Sequence, residues 1–204
     1  MRLATWGVWL FGLGVAGPAR AHSPAPGVEG FFLGLAHPFS TPGQVVVILA
    51  LALVVGGFAT RLVPWMLGVF FAAGFASLLP GPVLAALEVP LFAVGLVAAV
   101  AAASLPGQGA AVAFGLLVLG GGLIGHASIP GPGPVQDRIV TMAGAITGAS
   151  LGLAYGVGLL VVLREKMRAP WVAIGLRVLA AWIAAVAALM LALVFAPGAE
   201  VAPL

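Results

Sequence analysis

Charged residues are so rare in this sequence that they constrain the class of protein from the outset. The 204 residues include eight Lys or Arg and five Asp or Glu, so 6% are charged and 63% are hydrophobic. Soluble domains carry about 25% charged residues, so the composition excludes a soluble globular enzyme and a disordered chain. It predicts an all-α polytopic membrane protein, because helices satisfy their own backbone hydrogen bonds in lipid.

The same composition argues against several other functions. The formal net charge is +3, but so few basic residues do not make the patch that displaces counterions from nucleic acid. The chain has no cysteine, which excludes disulfides, thiol redox chemistry and thiolate metal ligands. It also has no G-K-[ST] motif, so ATP-driven transport would need a separate subunit.

Residues 1–21 have the pattern of a secretory signal peptide. A positive start at Arg2 precedes an apolar run over 3–16, which is short for a membrane span, and Ala-Arg-Ala at 19–21 forms an A-x-A cleavage site. Cleavage there makes His22 the mature N-terminus. An uncleaved anchor helix is the alternative. Under either interpretation the chain from His22 onward begins outside the membrane.

The remaining residues, 22–204, are predicted to form a single helical membrane domain of about six spans. A span needs about 20 apolar residues, and prolines separate six such stretches because proline interrupts helices. The predicted spans are 44–61, 63–79, 87–105, 110–127, 139–163 and 171–196. A shorter apolar stretch at 27–39 suits a re-entrant or interfacial helix.

Basic residues favour one orientation of these spans. An external start places the loops after the first and fifth spans inside, and those loops carry most of the basic residues, as the positive-inside rule requires. The residues placed inside are Arg61, Arg164, Lys166 and Arg168. Arg138 falls outside, and Arg177 reaches the inner surface by snorkelling. The sequence predicts a multi-pass protein of the bacterial inner membrane with both termini on the periplasmic side.

Glycines recur every four residues along the fifth predicted span, on a face that another helix can approach closely. These packing glycines are Gly144, Gly148, Gly152 and Gly156. The segment 148–152 also matches G-x-S-x-G, the nucleophile elbow of hydrolases, with Ser150 as the nucleophile. An elbow needs a strand-to-helix turn, and no histidine follows His126 to supply a base from a later helix. We therefore predict helix packing here and no enzyme activity.

All three histidines fall on the external side of this topology, and neutral imidazole is a common ligand of nickel, copper, zinc and cobalt. An N-terminal His22 offers its α-amine and imidazole in one chelate, and His37 and His126 complete a nitrogen-rich site. Glu29 or Glu88 adds a carboxylate oxygen. The alternative is that each histidine lies at the membrane interface and hydrogen-bonds water or loop carbonyls.

The order of motifs points to a known family. Ala21-His22 is followed by G-F-x-x-G-x-x-H-P at 30–38 and then by about six helices rich in small residues, the last containing Arg177. This order resembles the HupE/UreJ family of hydrogenase- and urease-linked membrane proteins. Members are regarded as nickel or cobalt permeases that supply metalloenzyme assembly. The resemblance implies a helical membrane fold, a metal-ion cargo and a metalloenzyme maturation system as partner.

Several positions depart from the family motif H-P-x-x-G-x-D-H. Thr41 stands at its glycine, Gly43 at its aspartate and Gln44 at its second histidine. A later H-G-x-E motif is reduced to His126, because 127–129 read Ala-Ser-Ile. A site of imidazoles and an amine with fewer carboxylates is expected to favour copper over nickel or cobalt by the Irving–Williams order.

Three hypotheses for the function follow. The first, which we prefer, is a transition-metal permease or a protein that captures metal at the periplasmic face; passage would depend on polar residues deeper in the bundle. Those residues are Ser77, Thr141, Thr147, Ser150 and Tyr155. The second is a non-transporting membrane subunit that docks to a partner enzyme. The third is an intramembrane serine hydrolase, for which no base is visible.

Overall fold

The computed structural model describes residues 28–79, 86–167 and 169–196, and every regular element in these ranges is an α-helix. The predicted all-α class is confirmed for this part of the chain. The helices are α1 (Val28–Ser40), α2 (Pro42–Gly56), α3 (Val63–Ala76), α4 (Glu88–Ser104), α5 (Ala110–Ala127), α6 (Val135–Lys166) and α7 (Pro170–Val194). The predicted signal peptide 1–21 and His22 lie outside the described residues.

Prolines and terminal charges account for several helix ends. Proline lies in the first turn of α2, α3 and α7, where its missing N–H would have no helical partner. α6 extends beyond the predicted 139–163 at both ends, because Asp137 in its first turn and two basic residues in its last turn complement the helix dipole. α2 ends at Gly56 rather than at 61, since glycine is a weak helix former.

The helices differ in how readily each crosses a bilayer. α5, α6 and α7 are each long and apolar enough to span a membrane, and α1 with α2 meets the same criterion as a pair bent by 74°. α3 and α4 are apolar but have only 14 and 17 residues. At about 1.5 Å per residue both are shorter than a hydrocarbon core of about 30 Å. The described part of the chain thus has three to four candidate spans, as expected of a multi-pass membrane protein.

The break between α1 and α2 lies at Thr41. A following proline disfavours helical backbone, and Thr41, which precedes Pro42, is extended, with φ −107° and ψ 110°. The hydroxyls of Ser40 and Thr41 both donate to the carbonyl oxygen of His37, at 2.9 and 3.2 Å. These bonds satisfy one of the last carbonyl oxygens of α1, which have no hydrogen-bond donor within the helix.

α1 and α2 pack against α6 and follow it in one direction. A Cβ added to Gly144 or Gly148 would overlap a backbone carbonyl oxygen of α1. One turn later Gly152 meets an aromatic ring at the end of α1, and Gly156 faces Ala52 of α2. The chain therefore advances along α6 across the break instead of turning back, and the four glycines allow the close approach.

α2 is the central helix of the described structure. Twelve of its 15 residues are buried, and it packs most extensively on α4 and α6. α3 packs on α5, and α7 packs on α4. α7 is peripheral, because only Val172, Ala180 and Ala187 along its length are buried. Leu176 and Ile183 are partly buried against the core, and most of its other apolar side chains are exposed.

The polar residues of the described structure are concentrated near two ends of the helix bundle. His37 of α1, the segment that follows α5 and the first turns of α6 meet at one end, which we call the histidine end. The last residues of α2 and α6 and the first turns of α7 meet at the other, which we call the arginine end. There the Arg164 guanidinium donates from Nη1 to the carbonyl oxygen of Gly56.

Candidate functional site

A cleft of about 410 Å³ opens at the histidine end, between the end of α1, the segment after α5 and the start of α6. His37 and Ser40 line it from α1, and Thr141 lines it from α6. The segment after α5 contributes Ser128, whose hydroxyl donates to the Ile124 carbonyl oxygen at 2.7 Å. The cleft therefore combines an imidazole with a few hydroxyls in mostly apolar walls.

The buried amide of Gln44 contacts the imidazole of His37. Gln44 lies in the first turn of α2 and is 1% exposed, and its Nε2 lies 3.4 Å from His37 Nε2. If the amide donates, the imidazole must carry its proton on Nδ1 and accept through the Nε2 lone pair. A metal ion at Nε2 would therefore have to displace this amide donor, because imidazole ligates a metal through a free lone pair.

The carbonyl oxygen of the same amide is left without a partner. Gln44 Oε1 is buried and accepts no hydrogen bond from the described residues. Rotating the amide by half a turn would let Oε1 accept from a proton on His37 Nε2, but the NH₂ group would then be the unpartnered one. Buried polar atoms in proteins nearly always have a partner. In either orientation of the Gln44 amide, one of its two polar atoms is left without a hydrogen-bond partner among the described residues.

The other predicted ligands lie at different distances from this cleft. His126 is in the last turn of α5, directly before Ala127 and Ser128, which line the cleft. Glu29, in the first turn of α1, and Glu88, the first residue of α4, are exposed and do not line it. In the described ranges no three His, Asp or Glu side chains come together as a metal-binding group.

Two of the five polar residues proposed for an ion path hydrogen-bond to carbonyls of their own helices. Ser77 donates to the Gly74 carbonyl oxygen and Thr147 to the Ala143 carbonyl oxygen, each at 2.7 Å. Tyr155 is 76% exposed on the outer face of α6. Of the five predicted residues, Thr141 alone lines the cleft.

The G-x-S-x-G segment lies within a continuous helix. Residues 148–152 are part of α6, and no strand-to-helix turn interrupts them. The Ser150 hydroxyl is buried and finds no hydrogen-bond partner among the described residues. The flanking Gly148 and Gly152 contact α1, so this stretch packs helices together in the described structure.

Gln44 was not predicted as a site residue, because in the sequence it stands out only as the replacement of a motif histidine. The sequence did contain a signal for this residue, namely a lone amide at the start of an otherwise apolar helix, since an unpaired polar group is costly in an apolar setting.

Comparison with protein-family models, curated proteins and solved structures finds no match to this chain.

Proposed function

We propose that this protein is a multi-pass membrane protein that captures a transition-metal ion at its histidine end, in the manner of the HupE/UreJ permeases that it resembles. The observation that carries the proposal is the contact between His37 and the buried amide of Gln44, whose Oε1 has no partner among the residues that the structure describes. The His37 imidazole lines the open cleft and is the donor that a cation there can reach, whereas the Gln44 amide lies buried behind it, outside the lining. Its oxygen would become a second donor only after a change of side-chain rotamer.

The proposed topology has six passes, with α1 and α2 as one broken span. Successive helices run alternately toward the histidine end and the arginine end, and α1 and α2 follow α6 in one direction. α3 and α4 are short, and bilayer thinning beside short spans has a modest cost. The histidine end then faces the periplasm, because Arg61, Arg164 and Lys166 belong to the opposite, cytoplasmic side.

The break in the first span supports a site at this position. Discontinuous membrane helices form the substrate sites of many transporters, because unwound backbone and helix ends there face a cavity. His37 lies in the last turn of α1, four residues before the break at Thr41, and Gln44 lies three residues after it. Gln44 also stands where the HupE/UreJ motif has its second histidine, so the resemblance and the contact concern the same pair of positions.

The donors of this chain suit a borderline metal ion as cargo. Imidazole is a good ligand of nickel, cobalt and copper, and the amide oxygen of Gln44 is a neutral second donor. His126 is near in the chain to the cleft-lining residues, and the predicted mature terminus at His22 would add an amine and an imidazole. Glu29 and Glu88 are exposed, so they are proposed as outer carboxylates that attract the cation and not as direct ligands.

Capture is better supported than passage through the bundle. Ser77 and Thr147 bond to carbonyls of their own helices, and Tyr155 faces outward. A dehydrated divalent ion would find little compensation along such a path. We therefore propose binding and delivery toward a metalloenzyme maturation system as the principal role.

Metal titration of the purified protein tests the proposal. Mature protein in detergent would be titrated calorimetrically with Ni²⁺, Co²⁺, Cu²⁺ and Zn²⁺. His37→Ala is expected to lose most of the high-affinity binding, because it removes the imidazole at the cleft. Phe32→Ala is the matched control, since Phe32 is exposed on the same helix and does not line the cleft. Equal isotherms for wild type and His37→Ala would refute the site.

Acidification provides an independent check on histidine ligation. Protons compete with metal ions for imidazole nitrogen, so affinity is expected to fall from about pH 8 to about pH 5. The Gln44 oxygen does not titrate, so it cannot produce this trend. A constant affinity over that interval would show that imidazole is not a ligand.

The second candidate is a non-transporting membrane subunit that docks to a partner enzyme or to other membrane subunits. It is favoured by two features of the described ranges, the lack of a three-residue donor group and the scarcity of polar side chains along the bundle. In that case neither wild type nor a variant with all three histidines changed to alanine would bind metal above background.

A further inference from the structure

A second cavity, of about 230 Å³, lies at the arginine end between α2, α4, α6 and α7. Its side-chain walls are apolar except for two guanidinium groups, those of Arg164 and Arg177. The apolar part includes Leu53, Leu160 and Ile174. The cavity lining thus has two cationic groups and no acidic residue, which makes an anion the expected ligand.

Arg164 is held in place by the fold. Its Nη1 donates to the carbonyl oxygen of Gly56, the last residue of α2. That carbonyl belongs to the last turn of a helix, where cations are favoured by the helix dipole. A guanidinium has five N–H donors, so this bond fixes the group while others remain available to the cavity.

Arg177 has no such structural bond. It lies about two turns into α7 at about 3.6 residues per turn, and it makes no hydrogen bond or ion pair with any described residue. Glu165 is the acid next to Arg164 in the chain, but it lines a separate cleft and forms no ion pair with either arginine in the described ranges. The positive charge of this cavity is thus uncompensated there.

We propose that the cavity binds the phosphate group of an acidic phospholipid, with the lipid chains along the apolar surface of α7. Guanidinium groups match phosphate oxygens in charge and geometry, and basic pockets between helices on the cytoplasmic side are typical headgroup sites. Trp171, exposed in the first turn of α7, is the kind of aromatic side chain found at the headgroup level. The lipid assignment rests on the proposed membrane orientation but not on metal capture.

Native mass spectrometry of delipidated protein tests the site. Protein in detergent would be titrated with phosphatidylglycerol and with phosphatidylcholine. Wild type is expected to bind phosphatidylglycerol preferentially, and Arg177→Gln to bind it about tenfold more weakly, the equivalent of losing one charge-assisted bond. Arg177→Lys is expected to retain part of the preference because it keeps the charge.

Arg61→Gln is the matched control. It removes the same charge from an exposed residue beside the arginine end that does not line the cavity, so it should bind phosphatidylglycerol as wild type does. An Arg177→Gln variant with wild-type unfolding temperature and wild-type lipid binding would overturn the proposal. So would an equal loss in Arg61→Gln, which would indicate a diffuse charge effect.

Inorganic phosphate and glycerol 3-phosphate distinguish the source of the anion. If the lipid is the ligand, neither should displace phosphatidylglycerol at concentrations near that of the lipid. If either small anion displaced phosphatidylglycerol from wild type, and Arg177→Gln no longer bound that anion, the cavity would still be a phosphate site. The assignment of a lipid as its ligand would then be refuted. Failure to bind any of these anions would refute the site itself, and metal titration of the same sample would report separately on the histidine end.

Discussion

Replacing Gln44 by methionine isolates the cost of the unpartnered amide. Met is unbranched and similar in size, so the change removes the polar atoms with little repacking. An unsatisfied buried carbonyl costs about 1–3 kcal/mol, and the contact with His37, which is long at 3.4 Å, contributes at most about 1 kcal/mol. His37 is only half-buried, so in the variant a water molecule can hydrogen-bond to its Nε2 in place of the amide. We expect Gln44→Met to stabilise the metal-free protein by about 1 kcal/mol.

The assay is thermal unfolding in detergent, with metal removed by a chelator. A gain of this size corresponds to an increase in unfolding temperature of about 2–4 °C for a chain of this length. Gln108→Met is the control, because Gln108 is exposed and its amide is solvated. The same Gln44 variant should bind metal about ten- to a hundredfold more weakly. A Gln44→Met protein that is less stable than wild type would show that Oε1 has a partner, and the argument for a vacant donor would fail.

Two further predictions concern packing and orientation. Gly148→Ala should destabilise the protein by about 1–3 kcal/mol, because its Cβ would overlap an α1 carbonyl, whereas Gly158→Ala on the same helix meets open space and should be neutral or slightly stabilising; equal unfolding temperatures for the two variants would refute the close approach. Because the chain has no cysteine, Gly131→Cys at the histidine end and Gln108→Cys at the arginine end can be labelled singly. A membrane-impermeant maleimide should label the first in intact spheroplasts and the second only after permeabilisation, and the reverse pattern would invert the topology.

Much of the helical structure was predictable from local properties of the sequence. Scarcity of charge requires backbone hydrogen bonds to close within each segment, and prolines mark where segments begin. α5 accordingly begins and ends at the predicted 110–127, and α4 differs from the predicted 87–105 by one residue at each end. These features depend on neighbours in the chain, which the sequence displays directly.

The candidate site required the tertiary structure. The glycine pattern indicated a packing face on α6, but only the fold shows that α1 and α2 occupy it in one direction. The bend at Thr41 and the contacts of α1 bring His37 to the wall of a cleft, with Gln44 buried beneath it. Likewise, Arg164 reaches Gly56 from a helix more than a hundred residues away in the chain. Composition and periodicity determine which segments are helical and apolar, whereas long-range packing determines which of the few polar atoms meet.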